Sequence, residues 1–334
     1  MYTVEGRNVN STYRESVRKI REVGLTSDSR NGGVLVANNP VLTVTTRPQE
    51  RVLLDVGRDA NPFFHFFECL WMLNGMNDAR WLDRFVGNFS ERFAESNGIC
   101  HGAYGDRWKN WWSTTDVDWF DQLEMVIRLL RKNHLDRRAV LAMWSPERDL
   151  DASVNDVPCN THIYPRITGR DQPGKGPSMV LDLTICCRSN DIIWGATGAN
   201  AVHFSFLQEY MAGRIGVEVG TMYQLSNNWH AYNDTLQAVG IPNNRCLYES
   251  GDVTYHPIMN KPSEWDHDLG LFMQDPNHFW DYGNTFFGEV AKPMWNVHNL
   301  WRSGERQEAV ARARDSIAAS DWRMACVEWM ERRL

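Results

Sequence analysis

Cys159 is the residue whose surroundings most directly raise the question of covalent catalysis. It follows a proline in the segment DVPCNTHIYPRI, residues 156–167, and precedes a run that alternates like a β-strand. A cysteine in a hydrophobic protein is more often buried and inert than reactive. A nucleophilic thiolate needs an electropositive, partly exposed setting. Cys159 is therefore a candidate nucleophile only if other functional residues converge on it.

Two groups of arginines could provide a positive setting. Arg188 and Ser189 stand in CCRSND at the end of an apolar strand. There they could clamp a phosphate, or the arginine could pair with Asp191, and the sequence alone favours neither. Arg137 and Arg138 form a doublet between a predicted helix and a predicted strand. Such a doublet is usually a solvated corner, unless another anion-binding group lies beside it.

A carboxylate and two ring side chains are further candidates. Glu68 lies in the apolar segment FFHFFECLWML, where burying a carboxylate is costly unless it is hydrogen-bonded or functional. Such a carboxylate suits general acid–base catalysis. His230 and Tyr232 in NNWHAYND are two residues apart and therefore share one strand face. They could bind a sugar hydroxyl or form an ordinary edge-strand pair.

The composition limits the classes of function. The 334 residues, 43% of them hydrophobic, predict a globular protein with a substantial core. A net charge of -7 with scattered lysines and arginines argues against a DNA or RNA polymer as partner, while individual phosphates remain possible. Without a leader-like N-terminus or an apolar run of about 18 residues, we expect a cytoplasmic protein with no membrane segment. Seven cysteines without a C-x-x-C pair predict reduced thiols and no structural metal.

Apolar periodicity predicts the elements that must position these residues. The predicted helices cover residues 12–24, 61–75, 118–133, 200–216, 304–318 and 320–333. The predicted strands lie within 30–48 and at 137–145, 161–167, 179–188 and 217–232, the last one running into a polar turn; a loop rich in glycine, proline and lysine covers 168–178. We expect one main domain over residues 1–255 and an extension over 256–334 that packs on it.

The order of these segments resembles that of the thymidylate synthase family, which includes the phage-type deoxypyrimidine hydroxymethylases. The resemblance spans most of residues 25–235, and its specificity comes from the ordered set. The matching segments are SRNGG with Arg30, FECLWMLNG with Glu68, YGDRW from Tyr104, DRRAVLAMWSP from 136, VPCN with Cys159, CRSND from 187, NAVHFSFLQEYMA from Asn200 and NNWHAY from 227.

The resemblance implies an α/β (α+β) fold built on a large bent mixed β-sheet flanked by helices, here with a helical C-terminal extension. It also implies a homodimer in which two sheets pack back to back. Cys159 would add to C6 of a pyrimidine nucleotide, which turns C5 into a nucleophile toward the one-carbon unit of 5,10-methylenetetrahydrofolate. No metal is implied.

The resemblance also assigns roles residue by residue. The implied catalytic residues are Cys159, Glu68, Tyr104, Asn160 and Asp191, with Glu68 moving protons through ordered water. The implied substrate-binding residues are Arg30, Arg188 and Ser189 for the phosphate, Arg137 and Arg138 for the phosphate in the partner's site, His230 and Tyr232 for the 3'-hydroxyl, and Asn200 for the pyrimidine edge. Asp191 and Phe89 are implied to contact the folate.

Departures from the family pattern bear on the product. Thymidylate synthases have a histidine after the nucleophile, whereas this sequence has Asn160, and GATGAN is one residue longer than the family segment. Hydroxymethylation is favoured by three segments, namely RSND, the altered segment NFSERFAE at 88–95 and the charged end VEWMERRL. The reason is that an exocyclic methylene is hydrated where water is admitted and reduced by hydride where water is excluded. A thymidylate synthase that forms dihydrofolate remains the alternative.

Alternatives also remain open for the pyrimidine base of the substrate and for the class of reaction. An amide at Asn200 can donate to O4 and accept from N3–H of uracil, which favours dUMP, while a flipped amide leaves dCMP open. The product would be a modified nucleotide for DNA, made in the host cytoplasm if the gene is a phage gene. A catalytically silent homologue that binds nucleotide or RNA stays open. A cysteine hydrolase using His162 or His230 is disfavoured, since His162 is expected on the strand face opposite Cys159.

Overall fold

A mixed β-sheet lies at the centre of the structure, a computed structural model that describes residues 1–112, 120–151, 153–154, 156–172, 176–242 and 245–334. Its strands are β1 Tyr2–Gly6, β2 Gly24–Ser29, β3 Gly32–Ala37, β4 Val41–Thr45, β5 Leu141–Ala142, β6 Asn160–Gln172, β7 Gly176–Asp191 and β8 Glu218–Tyr232. The strand order is β1-β4-β8-β7-β6-β5, and the β2–β3 hairpin joins through β3 and β8. The pairs β1–β4 and β7–β8 are parallel and the others antiparallel.

Helices flank this sheet. They are α1 Val9–Val23, α2 Pro62–Leu73, α3 Phe89–Phe93, α4 Tyr104–Lys109, α5 Gln122–Lys132, α6 Pro146–Asp149, α7 Asn200–Ile215, α8 Asn233–Val239, α9 Trp265–Gln274, α10 Lys292–Ser303, α11 Arg306–Ser316 and α12 Ser320–Glu331. Two π-helical segments, Ile192–Ala199 and Phe287–Ala291, lead into α7 and α10. No helix in the described ranges is both long and apolar enough to span a membrane. A mixed sheet flanked by helices confirms the predicted fold class.

Two helices, α2 and α7, carry much of the candidate site, and the sequence explains their ends. Asn61 precedes α2, and its side-chain oxygen accepts a hydrogen bond from the Phe64 amide at 3.1 Å. Pro62 is the first residue of α2, where a missing amide hydrogen costs nothing. At its C-terminal end, α7 stops at Gly216, which has a φ of 90° that favours glycine.

The C-terminal helices pack on α2 through aromatic rings. Phe66 of α2 meets Trp322 of α12 edge-on, with ring centroids 5.1 Å apart, and Phe63 meets Trp329 at 5.8 Å. Both phenylalanines are fully buried. Residues after 255 therefore share one hydrophobic core with α2, because aromatic side chains bury large areas and prefer such edge contacts. The domain division at residue 255 stays a prediction.

Several predicted boundaries differ from the structure. The strand predicted at 137–145 is reduced to Leu141–Ala142, because the residues before it form turns. The loop predicted at 168–178 is wrong over most of its length, since β6 continues to Gln172 and β7 starts at Gly176. The strand predicted at 217–232 matches β8, which pairing with β7 and β3 keeps extended to Tyr232, but α8 follows it instead of a polar turn. Residues 118–119 of the predicted helix and 173–175 of the loop lie outside the described residues.

A buried polar network joins the extension to the sheet domain. Tyr248 donates from its hydroxyl to Asp321 of α12 at 2.8 Å and accepts from the Val52 amide at 3.2 Å. Nearby, Arg51 forms an ion pair with Glu209 of α7, and both side chains are buried. Burial is the main reason that the pKa of Asp321 rises to about 6, above the usual value of 3.8.

The raised pKa of Asp321 predicts a pH dependence of stability. Between about pH 4 and 6 the folded protein keeps a proton that the unfolded chain releases, so the free energy of unfolding falls as the pH rises through this window. Asp321→Asn cannot titrate and should reduce this fall by on the order of 2 kcal/mol. Urea unfolding at several pH values measures the difference. Asp315→Asn, which changes an exposed carboxylate of α11, is the control, and equal pH slopes in D321N and wild type would contradict the prediction.

Candidate active site

Three strands bring the candidate residues to one edge of the sheet. The parallel strands β7 and β8 end at the same edge, and the antiparallel strand β6 begins there. Asn160 at the start of β6 pairs with Cys187 near the end of β7, and the Arg188 amide donates to the Cys159 carbonyl at 2.9 Å. Cys159 and Arg188 are therefore neighbours through backbone pairing.

The Arg188 side chain holds the segment that carries Cys159. Its Nε donates to the Pro158 carbonyl at 2.8 Å and its Nη2 to the Val157 carbonyl at 2.9 Å. The same Nη2 lies 3.9 Å from the Cys159 sulfur. Burial raises the pKa of the Cys159 thiol, the Arg188 charge lowers it, and Asp156 raises it further. The arginine thus favours the thiolate, and its bonds go to these carbonyls rather than to Asp191.

Asn160, the residue after the cysteine, is fully buried and connects three side chains. Its Nδ2 donates to the Tyr104 hydroxyl at 2.6 Å and to Asn200 Oδ1 at 3.3 Å. Its Oδ1 accepts from the Cys187 thiol at 2.8 Å. A β-bulge between Asn160 and His162 allows Asn160 to point inward, while His162 stacks on half-exposed Tyr164. Cys159 has no hydrogen bond to His162 in the described structure, as expected.

A chain of amides continues from Asn200 and fixes its orientation. Gln224 Nε2 donates to the Ala196 carbonyl at 2.8 Å, so its Oε1 is the atom that accepts from Asn190 Nδ2 at 3.3 Å. Asn190 Oδ1 in turn accepts from Asn200 Nδ2 at 3.2 Å. Each bond therefore determines which end of the next amide is the donor. A Cβ at Gly195 would stand 2.6 Å from Asn190 Oδ1, so this position requires glycine.

Glu68 is paired with a histidine that sequence reasoning missed. Glu68 Oε2 on α2 lies 2.7 Å from His203 Nε2 on α7, and both side chains are largely buried. The sequence contained one signal for His203, its position three residues after Asn200 on the predicted helix, because such residues share a helix face. The sequence also gave no role to Asn190 or Gln224, which complete the amide chain.

Asp191, His230 and Tyr232 lie at the ends of β7 and β8. Asp191 Oδ1 accepts hydrogen bonds from the amides of Ile193 and Trp194 at 2.8 and 2.5 Å. These two bonds cap the start of the π-helical segment. Asp191 Oδ2 is buried without a hydrogen-bond partner among the described residues, and burial raises the pKa of this carboxyl. The rings of His230 and Tyr232 meet edge-on at 5.5 Å, which confirms that the two side chains share one face.

The remaining predicted residues lie apart from this network. Arg30 occupies the exposed turn between β2 and β3, Ser189 follows Arg188 on β7, and Phe89 starts α3 against Phe64 with ring centroids 5.6 Å apart. Arg137 and Arg138 are exposed, and Arg138 pairs with Asp136 at 2.7 Å. Within one subunit the doublet is thus a solvated corner, and its role toward a partner's site stays a prediction.

The fold and this site belong to a known class of one-carbon transferases. The family model described as thymidylate synthase matches residues 11–260, and the chain belongs to this family. A deoxyuridylate hydroxymethyltransferase of Pseudomonas phage M6 is 39% identical over 350 aligned residues, which cover 100% of this chain and 95% of that protein. A deoxyuridylate hydroxymethyltransferase of Bacillus phage SP01 is 31% identical over 71% of this chain and 61% of its own length. A thymidylate synthase of Corynebacterium aurimucosum is 25% identical over 69% of this chain and 81% of its own length.

The contact between Arg188 and Cys159 predicts the reactivity of the thiol. Arg188→Gln removes the charge that lowers the pKa of Cys159, so alkylation of Cys159 by iodoacetamide at pH 7 should slow by about three- to tenfold. Arg188→Lys keeps the charge and should lose less. Peptide mass spectrometry measures the modification at Cys159 alone. Arg128→Gln, an exposed arginine of α5, is the control, and a wild-type rate in R188Q would refute this effect.

Proposed function

We propose that this protein transfers the one-carbon unit of 5,10-methylenetetrahydrofolate to C5 of dUMP and hydrates it. Methylenetetrahydrofolate, dUMP and water would give 5-hydroxymethyl-dUMP and tetrahydrofolate. The observation that carries the proposal is the position of Cys159, with Arg188 3.9 Å from its sulfur and Asn160, bonded to Asn200, directly after it. Family membership and the two phage relatives support the reaction class.

Covalent addition is the first step, and the residues around Cys159 suit it. The thiolate attacks C6 of the pyrimidine, and the electron pair of the C5–C6 bond moves toward O4. Arg188 favours the thiolate and, together with Ser189 and Arg30, would neutralise the substrate phosphate. Tyr104 accepts from Asn160 and therefore keeps its own hydroxyl hydrogen for a ligand or for water near the developing enolate.

The fixed amide of Asn200 favours uracil over cytosine. Asn200 uses one Nδ2 hydrogen on Asn190 and one Oδ1 lone pair on Asn160. It retains one donor and one acceptor, which match O4 and N3–H of uracil. Cytosine presents the opposite pattern at these two atoms, and the amide chain opposes the flip that would accommodate it. We therefore infer that dUMP is the preferred substrate.

The region around Asp191 fits the folate co-substrate. The unpaired Oδ2 of Asp191 would accept from a ring N–H, because a buried carboxylate oxygen without a partner is costly. The Trp194 ring lies 4.2 Å from the Arg58 guanidinium and is 56% exposed, so it offers a flat surface for an aromatic ligand. We assign Phe89 to the same contact. His230 Nδ1, also buried without a partner in the described structure, would bind the 3'-hydroxyl together with Tyr232.

Hydration rather than reduction is the proposed last step. Asn160 replaces the family histidine and adds to a polar cluster with Tyr104 and Asn200. Water bound to such a cluster can add to the exocyclic methylene before a hydride arrives. A phage relative that aligns with the whole chain carries the name of a deoxyuridylate hydroxymethyltransferase. We place the reaction in the cytoplasm of a phage-infected host, which cell fractionation would test.

Two features support a homodimer with shared sites. Rows of half-exposed side chains cross one face of the sheet, as in the in-register set Tyr164, Thr184 and Tyr223. A cavity of about 360 Å³ opens beside Arg188 on this sheet, lined also by Thr161, Cys186 and Leu225. A partner sheet packed here would cover these side chains, and its exposed arginine doublet could then reach the phosphate beside Arg188.

Product analysis tests the proposed reaction. The wild-type protein with methylenetetrahydrofolate should release tritium from [5-³H]dUMP and form a nucleotide heavier by CH₂O, with dCMP converted at least tenfold more slowly. Cys159→Ala should abolish both signals, since no C6 adduct forms. Cys326→Ala, which changes a buried cysteine of α12, is the control and should retain both. A methylated nucleotide with a rise in dihydrofolate absorbance would instead identify a thymidylate synthase, and no tritium release from either nucleotide would identify a binding homologue.

Subunit mixing tests the shared sites. The double variant Arg137→Gln/Arg138→Gln and Cys159→Ala should each lose at least tenfold in activity. After reversible unfolding of an equal mixture, about a quarter of wild-type activity should return, because half of the dimers are mixed and one of their two sites is intact. A mixture that stays inactive, although C159A mixed with wild type keeps the expected activity, would place the arginines in their own subunit's site or outside any site.

A further inference from the structure

The Glu68–His203 pair contains an unused ring nitrogen. His203 is 5% exposed, and its Nε2 is 2.7 Å from Glu68 Oε2. Its Nδ1 is buried and has no hydrogen-bond partner in the part of the chain that the structure describes. A carboxylate accepts from Nε2–H, so the neutral ring keeps the lone pair of Nδ1 for a proton or a water. The histidine can therefore hold the Glu68 carboxylate in one orientation.

The location of the pair connects it to the reacting atoms. His203 lies one helical turn after Asn200 on α7, and Asn200 is bonded to Asn160 beside Cys159. Glu68 projects from the middle of α2 and retains Oε1 for a ligand or water, since its bond to His203 uses Oε2. Part of the Glu68 side chain, 13%, remains exposed. A water held by Glu68 can thus enter the site while the histidine stays behind the carboxylate.

We propose that His203 positions Glu68 as the base for the water that hydrates the exocyclic methylene; the inference rests on the proposed function above. In this step the water oxygen forms a bond to the methylene carbon, and its proton passes to the Glu68 carboxylate. The electron pair of the exocyclic double bond moves to C5, re-forms the C5–C6 double bond and expels the Cys159 thiolate. His203 is a positioning residue, because it acts through Glu68 and touches no reacting atom.

The other titratable groups around the pair leave Glu68 as the suitable base. On α2 itself, burial, with Arg58 and His203 nearby, lowers the pKa of His65 to about 3, so this ring is neutral and does not compete. Burial is the main cause that raises the pKa values of Cys69 and Cys100, and the Glu68 charge raises both further. Both thiols therefore stay protonated. Burial likewise raises the pKa of Tyr104.

Asp156 is another carboxyl close enough to Glu68 for the two charges to interact. Its Oδ2 accepts from the Gly102 amide at 3.0 Å. Burial raises its pKa, and the Glu68 charge raises it further. Asp156 is thus already held by a backbone amide, whereas Glu68 keeps Oε1 for the water.

The test separates hydration from the earlier steps by measuring two signals in the same reaction. Tritium release from [5-³H]dUMP reports the steps through C5, and the hydroxymethyl nucleotide reports hydration. 2-Mercaptoethanol is added to trap unhydrated methylene as a thioether. The variants are His203→Leu, which removes the donor, and His203→Gln, which keeps an N–H but cannot take up a proton. His65→Gln is the matched control, since His65 is also a buried histidine close to His203 but has no bond to Glu68.

H203L should release tritium within about threefold of the wild-type rate while its ratio of hydroxymethyl product to tritium falls about tenfold or more, with the thioether replacing the product. H203Q should recover part of this ratio, because its side-chain N–H can still donate to Glu68. H65Q should keep the wild-type ratio.

A wild-type ratio in H203L would overturn the proposal, as would a parallel loss of both signals in H203L and H65Q, which would indicate packing alone. If H203L does not fold, as judged by circular dichroism, H203Q decides: a full wild-type ratio there contradicts the proposal. Failure of the proposed function is a separate outcome, because the wild-type protein itself would then form a methylated nucleotide or release no tritium.

Discussion

The directional chain of amides from Gln224 to Asn160 is the constraint on which the site depends. It starts at a backbone carbonyl, that of Ala196, which can only accept a hydrogen bond. That one fact orients Gln224, then Asn190, then Asn200. The last bonds, from Asn160 to Asn200 and to Tyr104, follow in the same direction. In a buried setting each amide that faced the wrong way would leave polar atoms unpaired, so the chain holds one arrangement.

The β-sheet determines where the residues of the amide chain lie. The parallel pairing of β7 and β8 places Asn190 beside Ser226 and Gln224, and the antiparallel β6 places Asn160 beside Cys187. The π-helical turn that Asp191 starts brings the Ala196 carbonyl back over the sheet. The backbone thus determines the register of the side chains, and Cys159 and Arg188 are held by the same edge of the sheet.

The sequence predicted the candidate residues better than their contacts. Glu68 and Arg188 were candidates because a charged side chain is unusual in or beside an apolar segment, whereas the order of the motifs gave the family and, with it, the roles of Cys159 and Asn200. Contacts across the fold carry no such local signal: His203 and Glu68 are 135 residues apart, and only the packing of α7 on α2 brings them together. The lengths of β6 and β7 were underestimated for the same reason, since long-range pairing extends both strands through polar and glycine-containing stretches that favour turns locally.

The position of Asn160 in the amide chain limits which residue can replace it. An amide at this position donates to two neighbours and accepts from the Cys187 thiol, whereas an imidazole has only two ring nitrogens to serve the same three partners. A histidine introduced alone would leave a buried group without a partner. Asn160 is therefore energetically coupled to Cys187 and Asn200, and the effects of substitutions at these three positions should not add.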